Sequence, residues 1–331
     1  MGIVRFLESI GSGAFAAPML TRAAARSQLD ELLKGRTDSL RTGALLAAWR
    51  LGAESPEALA GFSDALAPWT LEIRSTRPIA VLPSLHGADT APMLTPLLAL
   101  WLAREGHAVL VHGPRSAACG PTCGEVLHDL GVAPAASADD VAARWARREP
   151  AFMATETLCP ALRHLLEPCA ALGWRGPAHQ VARLLAPTRG AAVLRVLPYR
   201  RPSTGPLLAR WAVLTGAHAM LLPGADGEPV ADPRHQPRID VLVAGQYRPD
   251  LGAQAAAGIP AEWPVLPRGG GAAATALWVQ EVLSGERPLP APLRRQSRLV
   301  GAALAALAAP APGGRAPGPG QPTTPGYVPV A

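Results

Sequence analysis

With 331 residues, 49% of them hydrophobic, and a mean hydropathy of +0.15, the chain has room for a large core and a smaller one, which excludes wholesale disorder. Its four cysteines, Cys119, Cys123, Cys159 and Cys169, are too few and too scattered for a disulfide framework. They also lack a second pair at zinc spacing, so free buried thiols are expected. The net charge of +6 rests on 31 basic residues, of which Lys34 is the sole lysine, and such a balance favours an anionic partner.

The N-terminal residues do not read as a signal peptide, since Arg5 and Glu8 interrupt them. Residues 94–103 are too short an apolar run to span a membrane. The reading is therefore a cytoplasmic protein with no membrane partner. Residues 21–35 and 39–51 carry Leu29, Leu32, Leu33 and then Leu40, Leu45, Leu51 at helical spacing. Ser55-Pro56-Glu57 supplies an N-cap and a first-turn proline for a third helix through Phe62 and Leu66. These helices define a small helical domain over residues 1–75.

The stretch from Ile79 to Val132 then alternates β-branched runs, small-residue loops and apolar helices, the signature of βαβ units on a buried parallel sheet. Thr95-Pro96 reads as an N-cap followed by proline, and Gly106 as the residue after the C-cap. Ligands of such sheets sit beyond the strand C-termini, which turns the 84–90 and 112–122 loops toward the ligand. Further on, residues 138–148 read as a helix whose arginines form a solvated end. Residues 192–197 and 219–222 read as strands flanking a 205–214 helix, and 272–283 as a helix after Gly269-Gly270-Gly271, a plain flexible loop. An α/β domain spans 76–308, and the Pro- and Gly-rich tail 309–331 is expected to be disordered.

The basic surplus is local. Between 183 and 238, Arg183, Arg189, Arg195, Arg200, Arg201, Arg210, Arg234 and Arg238 face only Asp226, Glu228 and Asp232. Arg200 and Arg201 precede a helix start at Ser203–Gly205, where free N–H groups and the positive dipole end favour a phosphate. No triad-like nucleophile accompanies His86 and Asp89, which read as loop residues, and His112 reads as a strand-end residue satisfying backbone groups.

The order strand, glycine loop, helix, V-L-V-H-G-x-R-S and x-E-V-L-x-x-L-G resembles the core of the anthranilate phosphoribosyltransferase family (glycosyltransferase family 3). That resemblance implies a small helical domain, responsible for dimerisation, and a large doubly wound α/β domain of the nucleoside phosphorylase/phosphoribosyltransferase type. Segment 155–187 would pack back on the helices. The family's G-T-G-G-D-G loop becomes Pro83-Ser84-Leu85-His86-Gly87-Ala88, and its K-H-G-N-R-S loop becomes Val111-His112-Gly113-Pro114-Arg115-Ser116. Ser84, His86, Gly87, Asp89, Thr95, His112, Gly113, Arg115 and Ser116 would thus form a vestigial pocket. The metal-holding Asp-Glu pair falls on Pro229-Val230, and two arginines, one of which holds the substrate carboxylate in the family, fall on Cys169-Ala170.

With diphosphate loop, metal carboxylates and acceptor arginine all replaced, the reading leans away from an enzyme and predicts neither metal nor cofactor. Residues 95–100, Pro160, Leu172-Gly173, Arg175, Ala178-His179, Arg183, Leu184, Leu185, Pro187, 226–231 and Pro233-Arg234 resemble the YbiB-type branch, whose members have the transferase fold and bind nucleic acid. The resemblance implies a homodimer that binds DNA or RNA backbone non-specifically. Its candidate contacts are Arg183, Arg189, Arg200, Arg201, Arg210, Arg234 and Arg238. The alternative is an active glycosyltransferase with another substrate.

Overall fold

The computed structural model describes residues 20–52, 55–88, 90–117, 120–171, 176–188, 191–256, 265–267 and 271–309. The C-terminal tail beyond 309, Asp89, Cys119, Arg175, Arg189 and Gly269-Gly270 lie outside the described residues.

The described residues open with three helices: α1 (Arg22–Leu33), α2 (Ser39–Gly52) and α3 (Pro56–Leu66). Thr21 caps α1 by accepting from the Ala24 N–H, and Ser55 caps α3 from Ala58 with Pro56 behind it, as the sequence pattern requires. Gly61 is where α1 and α3 cross, because a Cβ there would lie 2.2 Å from the Arg22 carbonyl oxygen.

The sheet begins with β1 (Ile79–Pro83), α4 (Thr95–Arg104), β2 (Ala108–Gly113), α5 (Cys123–Asp129), α6 (Ala138–Ala146) and β3 (Ala151–Ala154). Four short helical segments follow, among them α7 (Thr155–Leu158), α8 (Arg163–Ala171) and α9 (Pro177–Ala182). Then come β4 (Val193–Tyr199), α10 (Thr204–Thr215), β5 (His218–Pro223), β6 (Asp240–Val243), β7 (Gln246–Tyr247), α11 (Ala272–Ser284) and α12 (Ala291–Ala308). The strand order is β3-β2-β1-β4-β5-β6-β7, parallel through β5, with β6 and β7 added antiparallel at the edge.

Because helices cover both faces, the central strands are mostly apolar, and β1 is apolar and buried at every position. Alternate residues feed two cores. On one face, Val81, Leu110, Leu197 and Leu221 pack with Leu29, Trp49 and Phe62 of the N-terminal helices and with Leu165 and Val181 of α8 and α9. On the other face, Leu82, Val111, Leu194 and Leu222 pack with Leu97, Val126, Trp278 and Val300 of α4, α5, α11 and α12. Each such buried aliphatic side chain contributes roughly 1.5–3 kcal/mol. Helix α8 contacts α1 and α2, α9 contacts α2 and α3, and Trp211 of α10 donates from Nε1 to Ser63 of α3 at 3.0 Å. Among the described residues no helix is long and apolar enough to cross a membrane.

The direction in which strands are added reverses between β1, which leads outward to β2 and β3, and its parallel neighbour β4, which leads to β5 on the other side. That is the switch point of a doubly wound sheet, and the crevice beyond the C-terminal ends of β1 and β4 is where such folds hold ligands.

Candidate functional site

Two chemically opposite regions meet at this crevice. The first is a cavity of about 340 Å³ between the end of β1, the β4–α10 loop and helix α9. Arg50, Arg183, Arg200 and Arg201 line it together with His86, His179, Gln180, Tyr199 and Thr204, and no carboxylate is among the described lining residues. The His86 and His179 rings stand 4.8 Å apart, tilted by 40°. Arg183 donates to the Pro198 carbonyl at 3.2 Å, which fixes its guanidinium at the mouth of β4. Arg200 lays its methylenes against Gly227, where a Cβ would come within 3.1 Å, and Arg200 and Arg201 are both exposed. Neither has an ion-pair partner among the described residues, so their charge is available to a ligand.

The second region is the β1–α4 loop. Asp226, delivered by the loop after β5, accepts from the Thr90 N–H at 2.8 Å, the Thr90 hydroxyl at 2.7 Å and the Ala91 N–H at 2.7 Å. Glu228 accepts from the Thr95 hydroxyl at 2.8 Å and from the Ser84 hydroxyl through the same oxygen, Oε2. Glu228 is 3% exposed, and its burial pushes the carboxyl up to about 7, against hydrogen bonds that pull the other way. Its Oε1 has no hydrogen-bond partner among the described residues. The Cys123 thiol beside it is raised well above its ordinary value, by burial first and by Glu228 second.

The expected vestigial pocket is thus divided. Ser84 and Thr95 belong to the Glu228 cluster, whereas His86 lines the arginine cavity. Gly87 is buried, and Gly113 permits close approach of the loops, since a Cβ there would lie 1.9 Å from the Ser84 carbonyl oxygen. His112 is fully buried, with Nδ1 3.2 Å from the Thr155 hydroxyl, and burial depresses it to about 3. It stays neutral, and it does not satisfy backbone groups as expected: its Nδ1 meets the Thr155 side chain and its Nε2 has no partner among the described residues. Arg115 and Ser116 are exposed, and Arg115 lines a separate cavity with Glu125 and His128. Asp89 lies outside the described residues.

Three expectations need correction. Thr95 is not the N-cap of α4: Leu94 holds that position without a side-chain bond, and the Thr95 hydroxyl is turned to Glu228 instead. Not all of the 183–238 surplus is open to a ligand. Arg234 is paired with Asp232 at 3.0 Å and Arg238 with Asp240 at 2.9 Å, so both candidates are already neutralised. Arg195, counted in the same window, lies over the Trp211 ring with its Nε on the Leu185 carbonyl, and desolvation lowers it to about 10. Arg210 stays exposed on α10, away from the cavity lining, and Arg189 lies outside the described residues.

No protein-family model matches the chain. It is 28% identical over 295 residues to the uncharacterized protein YbiB of Escherichia coli strain K12, covering 88% of this chain and 91% of YbiB. It is 28% identical over 224 residues to anthranilate phosphoribosyltransferase of Nitratidesulfovibrio vulgaris, covering 67% and 64% of the two chains. Among solved structures, anthranilate phosphoribosyltransferase from Thermus thermophilus superimposes with a TM-score of 0.69 at 22% identity, covering 92% of this chain and 88% of that one. The Saccharomyces cerevisiae enzyme in complex with PRPP and Mg gives 0.64 at 14% identity, covering 90% and 85%. The fold is that of the anthranilate phosphoribosyltransferases.

A divalent ion of the kind bound in the yeast enzyme does not fit the residues present here. Pro229 and Val230 offer no carboxylate at the expected position, and Val230 is buried. The neighbouring carboxylates have turned inward: both oxygens of Asp226 and one of Glu228 are taken by donors of the β1–α4 loop. A hard cation needs several free oxygens, and among the described residues no cluster of His, Cys, Asp or Glu supplies them.

Proposed function

We propose that this chain is a nucleic-acid-binding protein on a phosphoribosyltransferase-like scaffold, holding the phosphate backbone in its arginine-lined crevice and carrying out no phosphoribosyl transfer. The observation that supports it most is the lining of that crevice: four arginines from three parts of the chain, with no described carboxylate among them. Arg200 and Arg201 stand just before α10, whose first residue, Thr204, lines the same cavity at the positive end of the helix dipole. Such a surface neutralises phosphates without reading bases, so binding is largely independent of sequence. Tyr199 and the two histidines are the aromatic rings at hand for stacking, which keeps that contribution small. The lack of a metal donor set among the described residues also favours this reading over metal-assisted phosphoribosyl transfer. As a homodimer the protein would present two such crevices.

The test is a titration of labelled single-stranded and duplex DNA and RNA at several salt concentrations, with a parallel titration of phosphoribosyl diphosphate and Mg²⁺, on a sample whose mass is fixed by light scattering. The expected result is salt-dependent binding of similar strength for unrelated sequences, and a dimer mass. Tight, Mg²⁺-dependent binding of phosphoribosyl diphosphate with no affinity for nucleic acid would replace this reading with a transferase.

A further inference from the structure

Buried Glu228 takes no part in the crevice lining, yet it is tied to both of the loops that shape it. Its Oε2 accepts from the Thr95 hydroxyl at 2.8 Å and from the Ser84 hydroxyl, which fastens the loop after β5 to the β1–α4 loop. The His86 backbone N–H approaches the same carboxyl as a third, weaker donor, and the His86 ring lines the crevice. On the other side, the residue next to Glu228 is Gly227, which also lines the crevice and lies under the Arg200 methylenes. An ionisable group thus sits one peptide from the perch of Arg200 and within reach of the His86 backbone.

We propose that Glu228 is a positioning residue for the arginine crevice: protonated, it holds the loop after β5 against the β1–α4 loop and so fixes Arg200 and the His86 ring, and ionised, it lets the two loops part. Binding of a polyanion in the crevice is then coupled to uptake of a proton from solvent at Glu228, a consequence that rests on the nucleic-acid reading above.

Three observations support this. The loop after β5 is closed on itself: the Ala225 N–H donates to the Val230 carbonyl at 3.0 Å and the Glu228 N–H to the Ala225 carbonyl at 2.8 Å. Buried Gln296 of α12 pins its far end, accepting from the Ala231 N–H at 2.8 Å and donating to the Pro229 carbonyl at 2.9 Å. A displacement of the Glu228 carboxyl therefore carries Gly227 with it. Second, Oε1 of Glu228 is buried with no partner among the described residues, so a full charge there is relieved only by water entering between the loops. Third, the surroundings favour the neutral form. Asp226 on the same loop opposes a second negative charge, and the Cys123 thiol of α5 supplies no cation. Helices α4 and α12 present Thr95 and Gln296 to this loop, neither of them ionisable. A polyanion in the crevice adds to the opposition that Asp226 provides, and so strengthens proton binding. The remaining titratable or charged groups on that side are Arg200, beyond Gly227, and the His86 and His179 rings.

Two measurements test this. In the free protein, the amide signals of His86 and Gly227 are followed by NMR from about pH 5 to about pH 9. Both should move with a shared midpoint of about 7 in the parent and lose that transition in Glu228→Gln. Labelled single-stranded DNA is then titrated by anisotropy at about pH 6 and about pH 8.5, at constant ionic strength. Parent affinity should fall by roughly three- to tenfold over that interval, as expected for a pKa that binding raises by up to about one unit. Glu228→Gln should lose most of this fall, whereas His86→Asn/His179→Asn should retain it. Ser84→Ala removes a donor that favours the ionised form, so it should move the amide midpoint up by about half a unit, and it serves if Glu228→Gln folds poorly. A glutamate with a purely structural role would leave the pH profile untouched. Equal weakening of Glu228→Gln at both pH values with the parent's fall intact, amides without a shared transition, or a Ser84→Ala midpoint that stays in place would each overturn the proposal. If nucleic acid does not bind at all, the crevice reading falls, and the amides of the free protein still decide whether Glu228 holds the loops.

Discussion

The arginine crevice and the β1–α4 loop lie side by side at the same switch point, share His86 and Gly227 as neighbours, and have opposite fates. In the loop, each donor meets a carboxylate of the same chain. In the crevice, Arg200 and Arg201 meet none among the described residues, and Arg183 is braced by a neutral carbonyl. A phosphate is drawn to the place where positive charge has been left uncompensated, so the position of a few carboxylates decides which of two adjacent anion-friendly surfaces is open.

The largest expected effect sharpens the closed half. Glu228 has a folded-state value of about 7 against an ordinary 4.5, so the folded protein keeps a proton that the unfolded chain releases between those two values. The stability this contributes is fully present below about 4.5 and lost as pH rises through about 7. Glu228→Gln does not titrate. The difference in unfolding free energy, variant minus parent, should therefore grow by on the order of 2–3 kcal/mol between about pH 5 and about pH 8. Urea unfolding at several pH values measures it, and the pH trend separates the titration from the constant cost of placing an amide there. A difference that stays flat across this range would mean that the carboxylate is not desolvated as the geometry implies.

The next effect concerns the open half. Arg200→Ala/Arg201→Ala should weaken nucleic-acid binding by roughly tenfold at moderate salt, equally for every sequence tested, and lower the salt slope by about 1–2. Fluorescence anisotropy across a salt series reads both numbers. A folded variant with unchanged affinity and slope would move the binding surface away from the crevice.

What the sequence disclosed follows from the range of the forces involved. Helix α3 was legible because its cap, Ser55, its first-turn Pro56 and its apolar spacing are all local. The β1–α4–β2 unit was legible for the same reason. Strands β3 and β6, of four residues each, carry too little pattern to separate from a loop, and α12 has Pro292 and three arginines in its first half, which dilute its apolar face. Thr95 shows the limit most clearly. Thr-Pro is a good local cap, and a buried glutamate 133 positions later took its hydroxyl instead. Asp226 and Glu228 were read as residues of a loop that had lost its metal pair at 229–230. Their inward turn depends on Gln296 and a left-handed backbone, neither of which local spacing reveals. One correction was within reach of the sequence. Arg238 precedes Asp240 by two, the spacing that puts side chains on one face of extended chain, and Arg234 follows Asp232 by two within a turn. A charge window closed at 238 leaves Asp240 out.

That spacing leads to the smallest expected effect, which is also the sharpest control. Arg234 makes two parallel contacts to Asp232, Nε to Oδ1 at 3.0 Å and Nη2 to Oδ2 at 3.1 Å, and Arg238 places Nε 2.9 and 3.0 Å from the two oxygens of Asp240. A phosphate approaching either guanidinium meets a carboxylate in contact with it, so the gain from binding is offset by the pair that must loosen. Surface pairs of this kind contribute only about 0–1 kcal/mol to stability, so Arg234→Ala/Arg238→Ala should fold like its parent. Its nucleic-acid affinity should stay within about twofold and its salt slope should be nearly unchanged, although it removes as many positive charges as Arg200→Ala/Arg201→Ala. The same anisotropy series measures it. If the two double variants lose affinity alike, net charge governs binding and the crevice has no special standing; if only the first does, the unpaired arginines at the switch point are where the phosphate sits.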